Sequence, residues 1–254
     1  MADELPPPIP AATLILMRLA PEGGAPEILM MERAMTMAFA AGALVFPGGR
    51  IEEADEAIAA AVAPHLEDGA ARVAAVRETI EETGIAAALR PLPDAEAVIG
   101  LRARINAGEP FVDSLERFGL AVDLEALTPF ARWCPNFREA RRFDTLFYVA
   151  EAPLGANPAT ADRTEAVRTL WGTAESVLAE IEAGRAHAIF PTRRNLERLA
   201  AFGSIEEARA DAARHPVRTI TPWVEERGGR RFVCIPEDAG YPVTWEPYES
   251  ARRR

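Results

Sequence analysis

Residues 76–85 read V-R-E-T-I-E-E-T-G-I, and the place where this stretch ends as a helix governs how the rest of the chain is read. Asp68 is a good capping residue type and Gly84 a good residue to close a helix, so the pattern predicts one helix from Gly69 or Ala70 through Thr83. A helix turns about 100° per residue, which puts Val73, Val76 and Ile80 on one stripe and Glu78, Glu81 and Glu82 on a neighbouring one. The acidic stripe is unfavourable twice over. Glu78 and Glu82 are like charges four apart, which costs a few tenths of a kcal/mol. Glu81 and Glu82 also lie in the last turn, where the helix dipole opposes an anion by about 0.3–1 kcal/mol each. Arg77 offsets part of this through Glu81, its i+4 neighbour. Two readings account for the rest: a solvated acidic face, where charges cost little, or a hard divalent cation held by carboxylate oxygens.

Composition narrows the classes. The chain has 254 residues, 49% hydrophobic and 26% charged, with a net charge of −11, which suits a single large domain over residues 1–254 and disfavours a nucleic-acid partner. No run of apolar residues is long enough to span a membrane, and the start, M-A-D-E-L-P-P-P-I-P, is acidic and proline-rich, so a cytoplasmic protein with no membrane partner is expected. All 28 basic residues are arginines, so neither a Walker lysine nor a lysine Schiff base is available. Cys134 and Cys234 lack metal or disulfide spacing and read as ordinary buried thiols. His65, His187 and His215 show no ligand spacing, and no G-x-S-x-G elbow or G-x-G-x-x-G fingerprint occurs.

Along the chain, Ala11 to Leu19 and Ile28 to Glu32 predict a hairpin or meander, and Ala43 to Phe46 a third short strand ending in the Pro47-Gly48-Gly49 loop. Leu89 to Trp133 reads as a mostly helical insertion. Phe143 to Ala150, Thr169 to Trp171 and Arg231 to Ile235 read as strands. Thr173 to Ala183, Asn195 to Phe202 and Ile205 to Ala213 read as helices. The core is expected over about residues 10–200, with a C-terminal extension, largely helical, over 203–254.

The segment R-E-T-I-E-E-T-G-I, Arg77 to Ile85, resembles position for position the second half of the Nudix box, R-E-x-x-E-E-x-G and an apolar residue, and F-P-G-G at Phe46 to Gly49 resembles its lead-in. In typical members a glutamate lies six residues after the second glycine; here that place holds Asp55, and 21 residues, Glu56 to Val76, stand between it and Arg77. This spacer adds about two helical turns or a loop, and the role of Asp55 is left open.

The resemblance implies a Nudix-type α/β/α sandwich with a mixed β-sheet and helical insertions. It implies an enzyme that uses Mg²⁺ or Mn²⁺ to hydrolyse a diphosphate joining a nucleoside to another moiety. Glu78, Glu81 and Glu82 would hold the metals and supply the base, and Arg77 would orient Glu81. Members often add a carboxylate a few residues before a tryptophan-containing strand, and Glu165, six before Trp171, is the candidate fourth ligand, or else a solvated loop glutamate. Gly48 and Gly49 would let the backbone approach the substrate, and Arg50 would touch a phosphate or remain solvated.

Within the family, L-M-M-E-R-A-M-T-M-A-F-A-A-G-A-L-V-F-P-G-G resembles the coenzyme A diphosphatase signature. It keeps Arg33, Ala34, Gly42 and Phe46 to Gly49 at the right spacing, but has Ala38 where a second arginine stands. Asp55, the long spacer and Arg141-Arg142-Phe143-Asp144-Thr145 also resemble the nucleoside diphosphate-linked moiety X motif 19 type of that branch. Arg138, Arg141 and Arg142 would then recognise the extra phosphate of coenzyme A, or else form a basic strand edge. Met30, Met31, Met35 and Met37 fit core filling better than an acyl-chain surface. The expected substrate is coenzyme A or acyl-coenzyme A. The alternatives are ADP-ribose or dinucleoside polyphosphates, or a non-catalytic nucleotide-binding module. The oligomeric state stays open between monomer and homodimer.

Overall fold

A computed structural model describes residues 6–36, 40–136, 142–154, 161 and 166–251. Strand β1 (Ile9–Arg18) turns through a short Gly-rich loop into β2 (Glu27–Arg33), and β3 (Leu44–Val45) and β4 (Gly48–Arg50) follow. The expected Gly48-Gly49 loop is thus a short strand, paired antiparallel to β1 with Ala12 opposite Gly49. After it come α1 (Glu53–Val62) and α2 (Gly69–Thr83). The box spacer is therefore a separate helix plus added turns at the start of α2.

Helix α2 ends as the sequence predicts, with Gly84 at φ +70 and its N–H donating to the Ile80 carbonyl at 2.8 Å. Its start differs. The Asp68 side chain makes no cap; it accepts from Arg72 Nε at 2.8 Å and from the Tyr148 hydroxyl at 3.0 Å. These partners outcompete the nearby N–H groups because Arg72 is charged and nearly buried.

The segment after the box holds β5 (Leu89–Arg90), α3 (Ala95–Asn106), α4 (Phe111–Arg117), β6 (Ala121–Val122) and a turn of 3₁₀ helix, then β7 (Thr128–Trp133). The expected helical insertion is thus shorter than residues 89–133: its last residues form a strand of the main sheet, fixed by antiparallel pairing with β8 (Phe143–Glu151) that sets Trp133 opposite Thr145. The chain continues with β9 (Ala166–Thr173), α5 (Ala174–Glu182), α6 (Phe190–Leu199), α7 (Ile205–Arg214) and β10 (Thr219–Ile220). The C-terminal part is not mainly helical. It carries a three-stranded antiparallel sheet, β11 (Trp223–Arg227), β12 (Arg230–Cys234) and β13 (Trp245–Pro247), and the short α8 (Tyr248–Ala251).

The main sheet is mixed, in the order β10-β7-β8-β1-β2-β3, with β4 on β1 and β9 on β2. β1 and β8 run parallel and the β1–β2 hairpin antiparallel. β8 lies inside the sheet, between β7 and β1. Alternation along β1 divides the core. Leu14 and Leu16 pack with Val73, Val76 and Ile80 of α2 and with Leu101 and Phe111 beyond it. Ile15 and Met17 pack on the other face with Phe130, Trp133, Leu196 and Tyr241. Burial on both faces explains the unbroken apolar run of β1. Met30 and Met31 are fully covered, whereas Met35 is exposed and Met37 lies outside the described residues. Cys234 is buried and Cys134 half-buried, both free thiols. Among the described residues no helix is long and apolar enough to cross a membrane.

Candidate active site

The acidic end of α2 meets β4 at the edge of β1, and glycine makes the meeting close. A side chain at Gly48 would collide with the Ala12 carbonyl and the Thr13 backbone, and one at Gly49 would fall on the Glu78 carboxylate. The Gly48 N–H donates to Glu82 Oε2 at 2.9 Å. The two halves of the motif, far apart in sequence, therefore touch through a main-chain donor and a side-chain acceptor.

Arg77 organises the rest. Its Nε donates to Asp55 Oδ1 and its Nη2 to Asp55 Oδ2, both at 3.0 Å, a fork-on-fork pair. Nη1 donates to Glu78 Oε1 at 2.9 Å and lies 3.6 Å from Glu81 Oε2, and Nη2 also reaches the Arg50 carbonyl at 3.0 Å. Burial alone would lower the Arg77 pKa, but the bonds it donates to Asp55 and the negative charge of Glu78 outweigh it, and the net shift is upward. Asp55 is in turn fixed by its helix: its Oδ2 accepts from the Glu52 N–H at 2.9 Å in a capping box that starts α1. The solvated-face reading fails here, because Glu82 is 3% exposed and Arg77 7%. Only Glu81, with a side chain 39% exposed, faces water appreciably.

The structure thus brings together Gly48, Gly49, Arg77, Glu78, Glu81 and Glu82, and adds Asp55 as the partner of Arg77. The signal for Asp55 was its place six residues after Gly49. Arg50 joins the cluster through its carbonyl, while its side chain is exposed. Arg33 closes β2, its main chain bonded to Gly42 and Ala43. Arg142 precedes β8 and its carbonyl accepts from the Ile9 N–H at 2.7 Å. Glu165, Arg138 and Arg141 lie outside the described residues.

Among the described residues no three His, Cys, Asp or Glu side chains are grouped as a ready metal cluster. Glu78 and Glu81 lean on Arg77, and Glu82 on Gly48. The donor set still suits a hard divalent cation. It consists of carboxylate oxygens on one helix end, the ligand type such a cation prefers, and glycine at position 49 lets the Glu78 carboxylate lie against the main chain. Glu78, Glu81 and Glu82 are the residues that could hold such an ion.

No protein-family model and no curated protein matches the sequence. Among solved structures, a NUDIX hydrolase from Alicyclobacillus acidocaldarius is 29% identical, with a TM-score of 0.71 over 82% of this chain and 97% of that one. The NUDIX domain of Shewanella oneidensis NrtR, complexed with ADP ribose, is 13% identical, with a TM-score of 0.45 over 76% of this chain and 86% of that one. An Ap4A hydrolase from C. elegans is also 13% identical, with a TM-score of 0.42 over 76% of this chain and 96% of that one. The likeness to the Alicyclobacillus hydrolase supports the Nudix family and a Nudix pyrophosphohydrolase.

Proposed function

We propose that this chain hydrolyses a nucleoside diphosphate linked to another moiety, with coenzyme A or acyl-coenzyme A as substrate and Mg²⁺ or Mn²⁺ as cofactor. The products are adenosine 3′,5′-bisphosphate and 4′-phosphopantetheine or its acyl derivative. One observation supports the reading: Arg77 holds Glu78 and lies beside Glu81, while the Gly48 N–H holds Glu82, so each acidic side chain of the helix end has a fixed neighbour from the motif. A solvated helix end has no need of that arrangement.

A divalent cation held by Glu78, Glu81 and Glu82 would neutralise the diphosphate oxygens and the charge on the departing phosphate. The chain's own groups do the rest. A carboxylate of the acidic turn accepts the proton of the attacking water. The water oxygen forms a bond to phosphorus, and the bridging oxygen leaves with the second phosphate. Arg77, locked by Asp55, keeps Glu78 and Glu81 from spreading apart under their mutual repulsion. Gly48 and Gly49 are the proposed main-chain contacts to the substrate, and the lack of a side chain at Gly49 leaves the Glu78 carboxylate its place. Glu165 is the proposed further ligand, and Arg33, Arg50, Arg141 and Arg142 the proposed contacts to substrate phosphates.

The coenzyme A assignment rests on the spacing of Arg33, Ala34, Gly42 and Phe46 to Gly49. Ala38, in place of an arginine, favours a second reading in which ADP-ribose or a dinucleoside polyphosphate is the better substrate. The protein is further proposed to be one domain of the cytoplasm, binding a nucleotide-derived small molecule, with a core of about residues 10–200 and a C-terminal extension over 203–254. A panel of diphosphates with each metal, with products identified by mass, tests the proposal. Release of adenosine 3′,5′-bisphosphate from coenzyme A in preference to other cleavages is expected. Faster turnover of ADP-ribose would replace the substrate, and tight nucleotide binding with no product over hours would replace the enzyme by a binding module.

A further inference from the structure

We infer that Arg102 is a positioning residue for the acidic turn, a role that rests on the reading of Glu78, Glu81 and Glu82 as metal ligands. The last carbonyls of a helix lack donors within the helix and carry its partial negative charge, yet α2 puts two further carboxylates at this end. Arg102 answers both deficits. Its Nε donates to the Glu81 carbonyl at 3.0 Å and its Nη2 to the Glu82 carbonyl at 2.9 Å. The planar fork thus spans two successive residues of the site, which a lysine ammonium does with less direction.

The fit depends on Gly84 and on the insertion. A Cβ at Gly84 would lie 3.0 Å from Arg102 Nη1, so the glycine that ends α2 also lets the guanidinium lie against the turn. Arg102 sits on α3, whose Leu101 and Ile105 are buried in the same core as Val76, Ile80 and Ile85. At Gly100 a Cβ would meet the Phe118 ring, so close packing within the insertion sets where α3 lies. Glu82 is consequently held at both ends, by Arg102 at its carbonyl and by Gly48 at its carboxylate.

Charge and position predict opposite outcomes. The Arg102 charge by itself repels a bound cation, so a residue acting only through its field would weaken metal binding, and its removal would tighten it. A residue that fixes the turn strengthens binding. The test is calorimetric titration of Mn²⁺ into wild type, Arg102→Gln and Arg102→Lys, with kcat and KM for the best substrate of the diphosphate panel at saturating metal. Arg102→Gln is expected to bind Mn²⁺ about tenfold more weakly and to lose about tenfold in kcat, as for other groups that orient ligands, with KM nearly unchanged. Arg102→Lys is expected in between, and it supplies the comparison where the Gln variant does not fold. Tighter or unchanged Mn²⁺ binding by both variants overturns the inference while leaving the metal site intact. A wild-type protein that takes up no Mn²⁺ removes the metal reading, and this inference with it.

Discussion

Asp55 and Arg77, separated by 21 residues, form a buried two-bond pair at 3.0 Å, with Asp55 wholly inaccessible to water. Helix α1 and the extra turns of α2 occupy the interval without parting them. The pair uses two nitrogens of Arg77, and Nη1 is directed to Glu78 and Glu81. A broken motif in sequence is therefore a continuous one in space.

Removing one partner of a buried pair leaves the other charged and unpaired, at a cost of about 3–5 kcal/mol. Asp55→Ala is expected to lose stability of this order in urea unfolding, and its folded fraction to lose activity because Arg77 no longer holds Glu78. Wild-type stability in this variant would mean that the pair contributes nothing.

Gly49→Ala places a methyl group on the Glu78 carboxylate. Overpacking of this kind costs about 1–3 kcal/mol, and here the yielding group belongs to the site. Activity is expected to fall by a larger factor than stability accounts for, as measured by kcat alongside the melting temperature. An alanine variant with full turnover would show that Glu78 needs no fixed place.

On the opposite face of the sheet, Arg194 Nη2 donates to Glu197 at 2.7 Å and to Glu246 at 2.9 Å. Burial pushes both carboxyl pKa values up, beyond the opposing pull of Arg194. A raised pKa means the folded protein keeps protons that the unfolded chain has released. The stability from these groups is therefore present below the ordinary carboxylate pKa and is lost as pH rises through the folded one. Glu246→Gln cannot titrate, so its stability relative to wild type should rise with pH across that window. Urea midpoints of both proteins at a series of pH values check this, and a difference that is flat or falls with pH contradicts it.

How much of this was legible in the sequence depends on which interactions are local. β1, β2 and β8 stood out because burial on both faces writes a continuous apolar run, and α2 because its end is fixed by Gly84. Helix α1 did not stand out: its apolar residues are mostly alanines around Ile58, and its decisive residue, Asp55, is polar. β7 was hidden at the end of a helical pattern, since only its pairing with β8 makes Thr128–Trp133 a strand. Helix α6 begins at Phe190 rather than Asn195, with Pro191 in its first turn. The acidic residues of the candidate site are legible from spacing. The groups that hold them, Asp55 and Arg102, depend on contacts across 22 and about 20 positions, which no periodicity records.

The carboxylates at the end of α2 are proposed to bind a divalent cation. Calorimetric titration of Mg²⁺ and Mn²⁺ into wild type and Glu82→Gln tests it most directly. Saturable binding by wild type at millimolar metal or below, at least tenfold weaker in the variant, is the predicted result. No binding heat from wild type, or the same affinity in both proteins, would contradict it.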